Sequence, residues 1–305
     1  MDKRLSLQDY VFTLTTMFLL VCVAGAFFLG LRVGTDRTEA KWSEVTKKYE
    51  ASAKTPGAYD QQVLASFYDT IFLRYSEFQK KWFEQTAAIE RGGSKTDPSA
   101  LLKDLAKLSE DNYSLIMNRS IPETSPLLAE SQQNYLKSLK LFSETLKKYQ
   151  SQANSLQAGT LITQMNADSY IVEAKNFGLK GQAQFYESIV KWNETADPAL
   201  DGTELAGFMN LTVADWSQMN INVKNSFSAN WLSSTRHYTA FYPQDLTARM
   251  DNVIQSGQDK KQNIAEAAGL AAMLVETGAV RPGDYAAVKD LYAGETLPQL
   301  PVFSK

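Results

Sequence analysis

Between Tyr10 and Leu31 the chain runs for 22 residues without a charged side chain. At 1.5 Å of rise per residue, this matches the roughly 20 residues that carry a helix across a hydrocarbon core. The run predicts a transmembrane anchor over residues 10–33, behind a tail of residues 1–9, and so makes the lipid bilayer a partner. Ala24-Gly25-Ala26 has the small-x-small form of a signal-peptidase site, and cleavage there is the competing expectation. Against it, Phe27-Phe28-Leu29-Gly30-Leu31 continues the apolar run where a mature chain ordinarily turns polar. A lipoprotein reading of Leu19-Leu20-Val21-Cys22 fails because Val21 stands where a small residue is required. Cys22, Ala26, Gly30 and Gly34 recur every fourth residue. That stripe of small side chains lets two spans approach closely and predicts a membrane dimer face.

Lys3 and Arg4 precede the span, and Arg32, Arg37, Lys41, Lys47 and Lys48 follow it. A long tail translocates largely regardless of such charges, and a short N-terminus before one span is the signal-anchor layout. The expectation is an extracytoplasmic body.

Residues 34–57 read as a juxtamembrane stalk helix and linker, with Trp42, Val45 and Tyr49 as a thin seam, broken by Thr55-Pro56-Gly57. From Ala58 to Arg91, Leu64, Phe67, Ile71, Tyr75, Phe78 and Trp82 recur at steps of three and four, the mark of one helical face. Gly92-Gly93 ends that helix. Asp97-Pro98 opens another with an N-cap acceptor and a proline at the first helical position, and Leu101, Leu105 and Leu108 follow on its inner face. After Ile121-Pro122 and Ser125-Pro126, Tyr135, Leu139, Phe142, Leu146, Tyr149, Ala153 and Leu156 form a heptad seam. Gly159 is expected only to bend this third helix, which then continues toward Phe177 and stops at Gly178 or Gly181. Short connectors imply antiparallel neighbours. The fold class is therefore all-α: an elongated helical bundle with coiled-coil-like packing over residues 58–178. Residues 179–305 form a second, less regular helical region ending in a helix hairpin. Phe67-Tyr68-Asp69-Thr70-Ile71 is echoed by Phe185-Tyr186-Glu187-Ser188-Ile189.

Chemistry is constrained by scarcity. A net charge of -3, with both signs interspersed, offers no basic block for nucleic acid. The single cysteine lies in the span and the single histidine is His237. One chain therefore cannot assemble a thiolate or histidine-rich metal site, and no cofactor is expected. Trp231, Arg236, His237, Tyr238 and Tyr242 are the candidate ligand or partner surface, although Phe227, Trp231, Tyr238 and Tyr242 also recur at core-like helical steps. Asp197-Pro198-Ala199-Leu200-Asp201-Gly202 lacks the ligand spacing of a calcium loop and reads as a turn.

Ser188-Ile189-Val190-Lys191 and Ser228-Ala229-Asn230 resemble the S-x-x-K and S-x-N motifs of penicillin-binding proteins and serine β-lactamases, which would make Ser188 a nucleophile. Glu276-Thr277-Gly278 departs from their lysine-threonine-glycine. Residues Asn263 to Tyr292 loosely resemble the short bacterial C-terminal module through Gly278, Val280, Asp284 and Tyr285, with Arg281 in place of its capping residue. The anchor-plus-bundle outline resembles the input domains of bacterial membrane receptors. Those carry a second span and a signalling part, so sensing here implies a partner protein. The leading expectation is a non-enzymatic scaffold or partner-binding component of the cell envelope, as a homodimer or with another protein. A ligand-sensing module is the alternative, and a cell-wall enzyme the second.

Overall fold

In the computed structural model Asp60 starts the first helix by accepting the Val63 amide at 2.8 Å. The structure describes residues 58–92, 96–196 and 211–303. These lie within a compact unit, Gly57–Lys305, distinct from Met1–Pro56. The expected span, stalk, dimer face of Cys22, Ala26, Gly30 and Gly34, and Asp197–Gly202 turn all fall outside the described residues. Among the described residues no helix is long and apolar enough to cross a membrane, and backbone pairing of the β type is confined to an isolated bridge between Thr212 and Glu266.

Helix α1 (Gln61–Phe67) passes through a π-helical turn, Tyr68–Phe72, into α2 (Leu73–Arg91). The wider turn places Tyr68 and Phe72 inside together with Leu64, Phe67 and Ile71. Gly92, at φ 65, ends α2. Asp97 accepts the Ser99 and Ala100 amides and starts α3 (Pro98–Met117). Helix α4 (Pro126–Gln150) is the hub. Ser109 Oγ of α3 donates to the Leu139 carbonyl at 2.7 Å. On the other side, Ser131 Oγ and Ser138 Oγ donate to the Gly181 and Ala174 carbonyls of α6 (Ser169–Ala196), each at 2.6 Å. Moving seven residues along α4 moves seven residues backward along α6, which is antiparallel packing in coiled-coil register. Being flanked on two sides widens the buried stripe of α4 beyond the expected seam, to include Leu128, Ser131 and Ser138.

Two helix-end expectations are corrected. The third helix does not bend through Gly159. It ends at Gln150, a 3-10 turn at Ala153–Ser155 follows, and α5 (Ala158–Ala167) begins anew. Gly178 and Gly181 do not stop a helix either. They lie inside α6, where a Cβ would fall 1.8 Å from Tyr75 Oη and 2.9 Å from the Tyr135 ring. The spare backbone there serves close approach of neighbours, so glycine is kept at a cost in helix propensity. The echoed segments meet: Phe67 stacks on Phe185 at 5.5 Å, and Phe72 lies 4.5 Å from the same ring.

The remaining elements are α7 (Val213–Gln218), α8 (Ile221–Ser234), α9 (Pro243–Gln255), α10 (Gln258–Lys261), α11 (Ala267–Glu276) and α12 (Asp284–Val288), then a 3-10 turn at Lys289–Tyr292. Trp216, Phe227, Leu232, Leu246, Met250, Leu270 and Leu274 form a second apolar cluster beside the first. Helix α6 runs unbroken across residue 178, and Tyr285, Tyr292, Leu300 and Phe303 pack into the same cluster as α1 to α6. The chain beyond Tyr292 acts as a strap: Gln61 and Gln299 exchange two hydrogen bonds, at 3.2 and 3.0 Å.

Candidate functional site

The five residues singled out in the sequence are sent in different directions. Trp231 is buried in α8. Arg236 is exposed at φ 58, and the His237 amide donates to the Leu232 carbonyl at 2.9 Å. This is a Schellman ending with arginine where glycine is usual. It folds His237 back onto Trp231, with ring centroids 5.2 Å apart and planes 13° from parallel, and sets Nδ1 2.8 Å from Thr235 Oγ1. Tyr238 and Tyr242 go inward. Tyr238 Oη lies 3.2 Å from Tyr75 Oη, which is 2.9 Å from Ser138 Oγ, and its ring stacks on Phe83. Tyr242 packs against Phe72 and donates its amide to Asp245 Oδ2 at 3.0 Å. Burial pushes the Tyr75 hydroxyl up to about 12 and also raises Tyr238 and Tyr242. These hydroxyls stay protonated near neutral pH and knit the Tyr238–Tyr242 turn to the bundle.

Three polar groupings escaped the linear reading. Glu130 of α4 and Glu187 of α6 face each other's charge. Both are raised, first by burial, and Glu130 then by Glu187. Gln184 links Glu130 to Asn134, donating to Glu130 Oε2 and accepting from Asn134, each at 2.7 Å, while Glu187 is hydrogen-bonded by Asn230.

Asp251 is the centre of a buried ion pair. Its Oδ1 accepts from Lys224 Nζ at 3.0 Å and Trp216 Nε1 at 2.7 Å, and its Oδ2 from Tyr292 Oη at 2.8 Å. Such a pair is tolerable inside because every carboxylate oxygen is hydrogen-bonded.

The third grouping is the inner face of α8. Asn222 and Asn225 are each 1% exposed. Asn222 Nδ2 donates to Asn193 Oδ1 and to the Thr296 carbonyl of the strap. Among the described residues, Asn222 Oδ1, both polar atoms of Asn225 and Asn220 Nδ2 have no protein partner, nor has the Tyr285 hydroxyl. An unpaired buried polar atom costs about 1–3 kcal/mol, so several on one face weigh against a total stability of about 5–15 kcal/mol. The sequence did carry a signal. Two asparagines three residues apart, on the face that also bears Ile221 and Ala229, contradict both helix propensity and an apolar interior.

Lys175 is held over the Trp82 ring at 5.3 Å and donates to Asn166 Oδ1 at 2.8 Å. Burial brings its amine down to about 8. Ser188 is fully buried and donates to the Gln184 carbonyl of its own helix at 2.8 Å, while Lys191 pairs with Glu194. Ser228 Oγ sits 2.9 Å from Thr247 Oγ1. Among the described residues no three His, Cys, Asp or Glu side chains gather as a metal site. Comparison with protein-family models, curated proteins and solved structures finds nothing that matches this chain.

Proposed function

We propose that this chain is a single-pass membrane protein whose helical body works as a scaffold, holding a protein partner in the cell envelope from the extracytoplasmic side. The observation that carries the reading is the uncharged run from Tyr10 to Leu31, long enough to span. The body supports it in a second way. Leu73, Leu115 and Met117 are 40%, 44% and 53% exposed on the α2–α3 pair, which Asn112 joins by donating to the Arg74 carbonyl. Large apolar side chains left in water on a well-filled bundle suit a protein contact. The stripe of Cys22, Ala26, Gly30 and Gly34 suits dimerisation of the span. Reporter fusions at Lys305 test the orientation, and crosslinking through Cys22 tests the dimer. The scaffold reading fails if purification from membranes yields no stoichiometric partner, or if Leu115→Glu with Met117→Glu leaves the recovered complex unchanged.

The second reading, a ligand-sensing module acting through a partner, is favoured by one observation: both polar atoms of the buried Asn225 side chain lack a protein partner among the described residues.

A further inference from the structure

We infer that the seat of the strap is a peptide-docking groove, and that the strap of a second copy of this chain occupies it in trans, pairing two bodies by exchange of residues 294–303. The inference stands on the body alone. The membrane reading adds only that anchored copies would meet at raised local concentration.

The strap is held as a peptide ligand is held, from one side. Pro298, Leu300 and Phe303 are buried, while Gln299 and Pro301 between them stay exposed. Phe303 meets the Tyr285 ring edge-on at 5.9 Å. The strap's backbone folds on itself, with the Leu300 amide donating to the Pro298 carbonyl at 2.7 Å and the Phe303 amide to the Leu300 carbonyl at 2.9 Å. The bonds that join it to the body run through side chains instead. Gln61 Nε2 donates to the Gln299 carbonyl and Gln61 Oε1 accepts the Gln299 amide. Asn222 Nδ2 donates to the Thr296 carbonyl, and Glu295 Oε2 accepts the Ile221 amide at 3.4 Å. The Val302 amide donates to the Tyr68 hydroxyl. The seat is thus assembled from α1, the π-helical turn, α8 and α12, and it reads buried apolar side chains together with main-chain groups, as peptide grooves do.

The occupant follows from the fit. The sequence that this groove accepts is the strap's own, so a second copy brings every apolar side chain and hydrogen-bonding group the seat requires. Exchanging an identical element leaves the buried groups unchanged, so the closed and exchanged forms differ chiefly in the hinge and in local concentration. The hinge is at hand. Tyr292 is pinned to Asp251 at 2.8 Å, whereas Ala293 and Gly294 after it are exposed. A Cβ built on Gly294 meets no atom within 4 Å among the described residues, and glycine redirects the chain at little steric cost.

The test uses full-length copies in which Cys22→Ser removes the native thiol. Copies carrying Gln61→Cys and copies carrying Gln299→Cys are co-expressed, purified and mildly oxidised. A disulfide joining positions 61 and 299 of different chains is expected, identified by mass spectrometry of the crosslinked peptides. Excess synthetic peptide of residues 294–303, which alters nothing in the protein's core, should reduce that product by at least about half, as competition for one seat requires. Leu300→Asp with Phe303→Asp in the Gln299→Cys copy should abolish it. A single chain carrying both cysteines should form the same bond internally. The proposal is overturned if that chain closes but the mixed copies give no interchain bond, or if the interchain bond ignores both the peptide and the aspartates. It is overturned equally if the chain with both cysteines fails to close, since the seat would then be misplaced. Failure of the membrane reading would show separately, in the reporter fusions at Lys305, and would leave this crosslink intact.

Discussion

The Tyr75 hydroxyl occupies the place where a side chain on Gly178 would begin, 1.8 Å from a Cβ built there. Tyr75 also stacks on Tyr135 at 4.3 Å, and through Tyr238 it reaches the turn after α8. One glycine thus sets how closely α6 lies to the helices that carry the aromatic core.

Gly178→Ala is expected to destabilise the body by about 1–3 kcal/mol, because overpacking outweighs the roughly 1 kcal/mol gained in helix propensity. Combining it with Tyr75→Phe should cost less than the sum of the single changes, since the hydroxyl is the nearest obstacle. Chemical denaturation of the four-member cycle measures the coupling.

Asp251 serves three donors, so its loss should exceed that of any one of them. Asp251→Ala is expected to cost about 3–5 kcal/mol by stranding the buried Lys224 ammonium with the Trp216 and Tyr292 donors. Asp251→Ala combined with Lys224→Met should recover part of that loss. Equal melting temperatures for the single and double variants would contradict the arrangement.

The raised carboxyl of Glu187 makes stability pH-dependent. Between its ordinary value of 4.5 and its higher folded value, the folded body holds a proton that the unfolded chain has released. This contribution is full below about 4.5 and is lost as pH rises through the folded value. Glu187→Gln should therefore raise the melting temperature at pH 7 and flatten its fall above pH 4.5, as should Glu130→Gln, whose shift has the same sign.

Arg236 closes α8 with a left-handed backbone that costs a non-glycine residue about 1–2 kcal/mol. Arg236→Gly should stabilise the body by up to about 1 kcal/mol if the side chain serves no packing role. Scanning calorimetry decides it, and a loss of stability would show that the guanidinium is engaged.

Lys175, brought down to about 8 by burial, should be partly deprotonated at pH 7.5, where an ordinary lysine near 10.4 is not. Trace acylation read by mass spectrometry should show its reactivity rising through pH 8. A profile centred near 10.4 would show that the amine is solvated.

Much of the bundle was legible in the chain because it is written in local terms. Steps of three and four placed Leu64 to Trp82 on one face, and all of the residues named there are buried. Asp97-Pro98 and Gly92 marked helix ends because capping depends on a few adjacent residues. Gly178 and Gly181 misled for the same reason. A glycine that ends a helix and one that admits a neighbour's ring look alike until the neighbour is known. Nor does the spacing of Trp231, Tyr238 and Tyr242 reveal that α8 ends at Ser234, leaving the two tyrosines to reach the core from a turn.

By itself, the sequence determined that this chain is helical and carries an uncharged run of 22 residues, because periodicity, capping and hydropathy are properties of neighbouring residues. Tertiary structure alone decided what lies opposite what: Tyr75 against Gly178, Lys224 and Tyr292 on Asp251, Glu130 beside Glu187, and Asn222 on Asn193 and the Thr296 carbonyl. Those relationships join residues 27 to 103 positions apart. Whether a buried polar group is paired depends on chains folded onto it from elsewhere, so no local pattern records it.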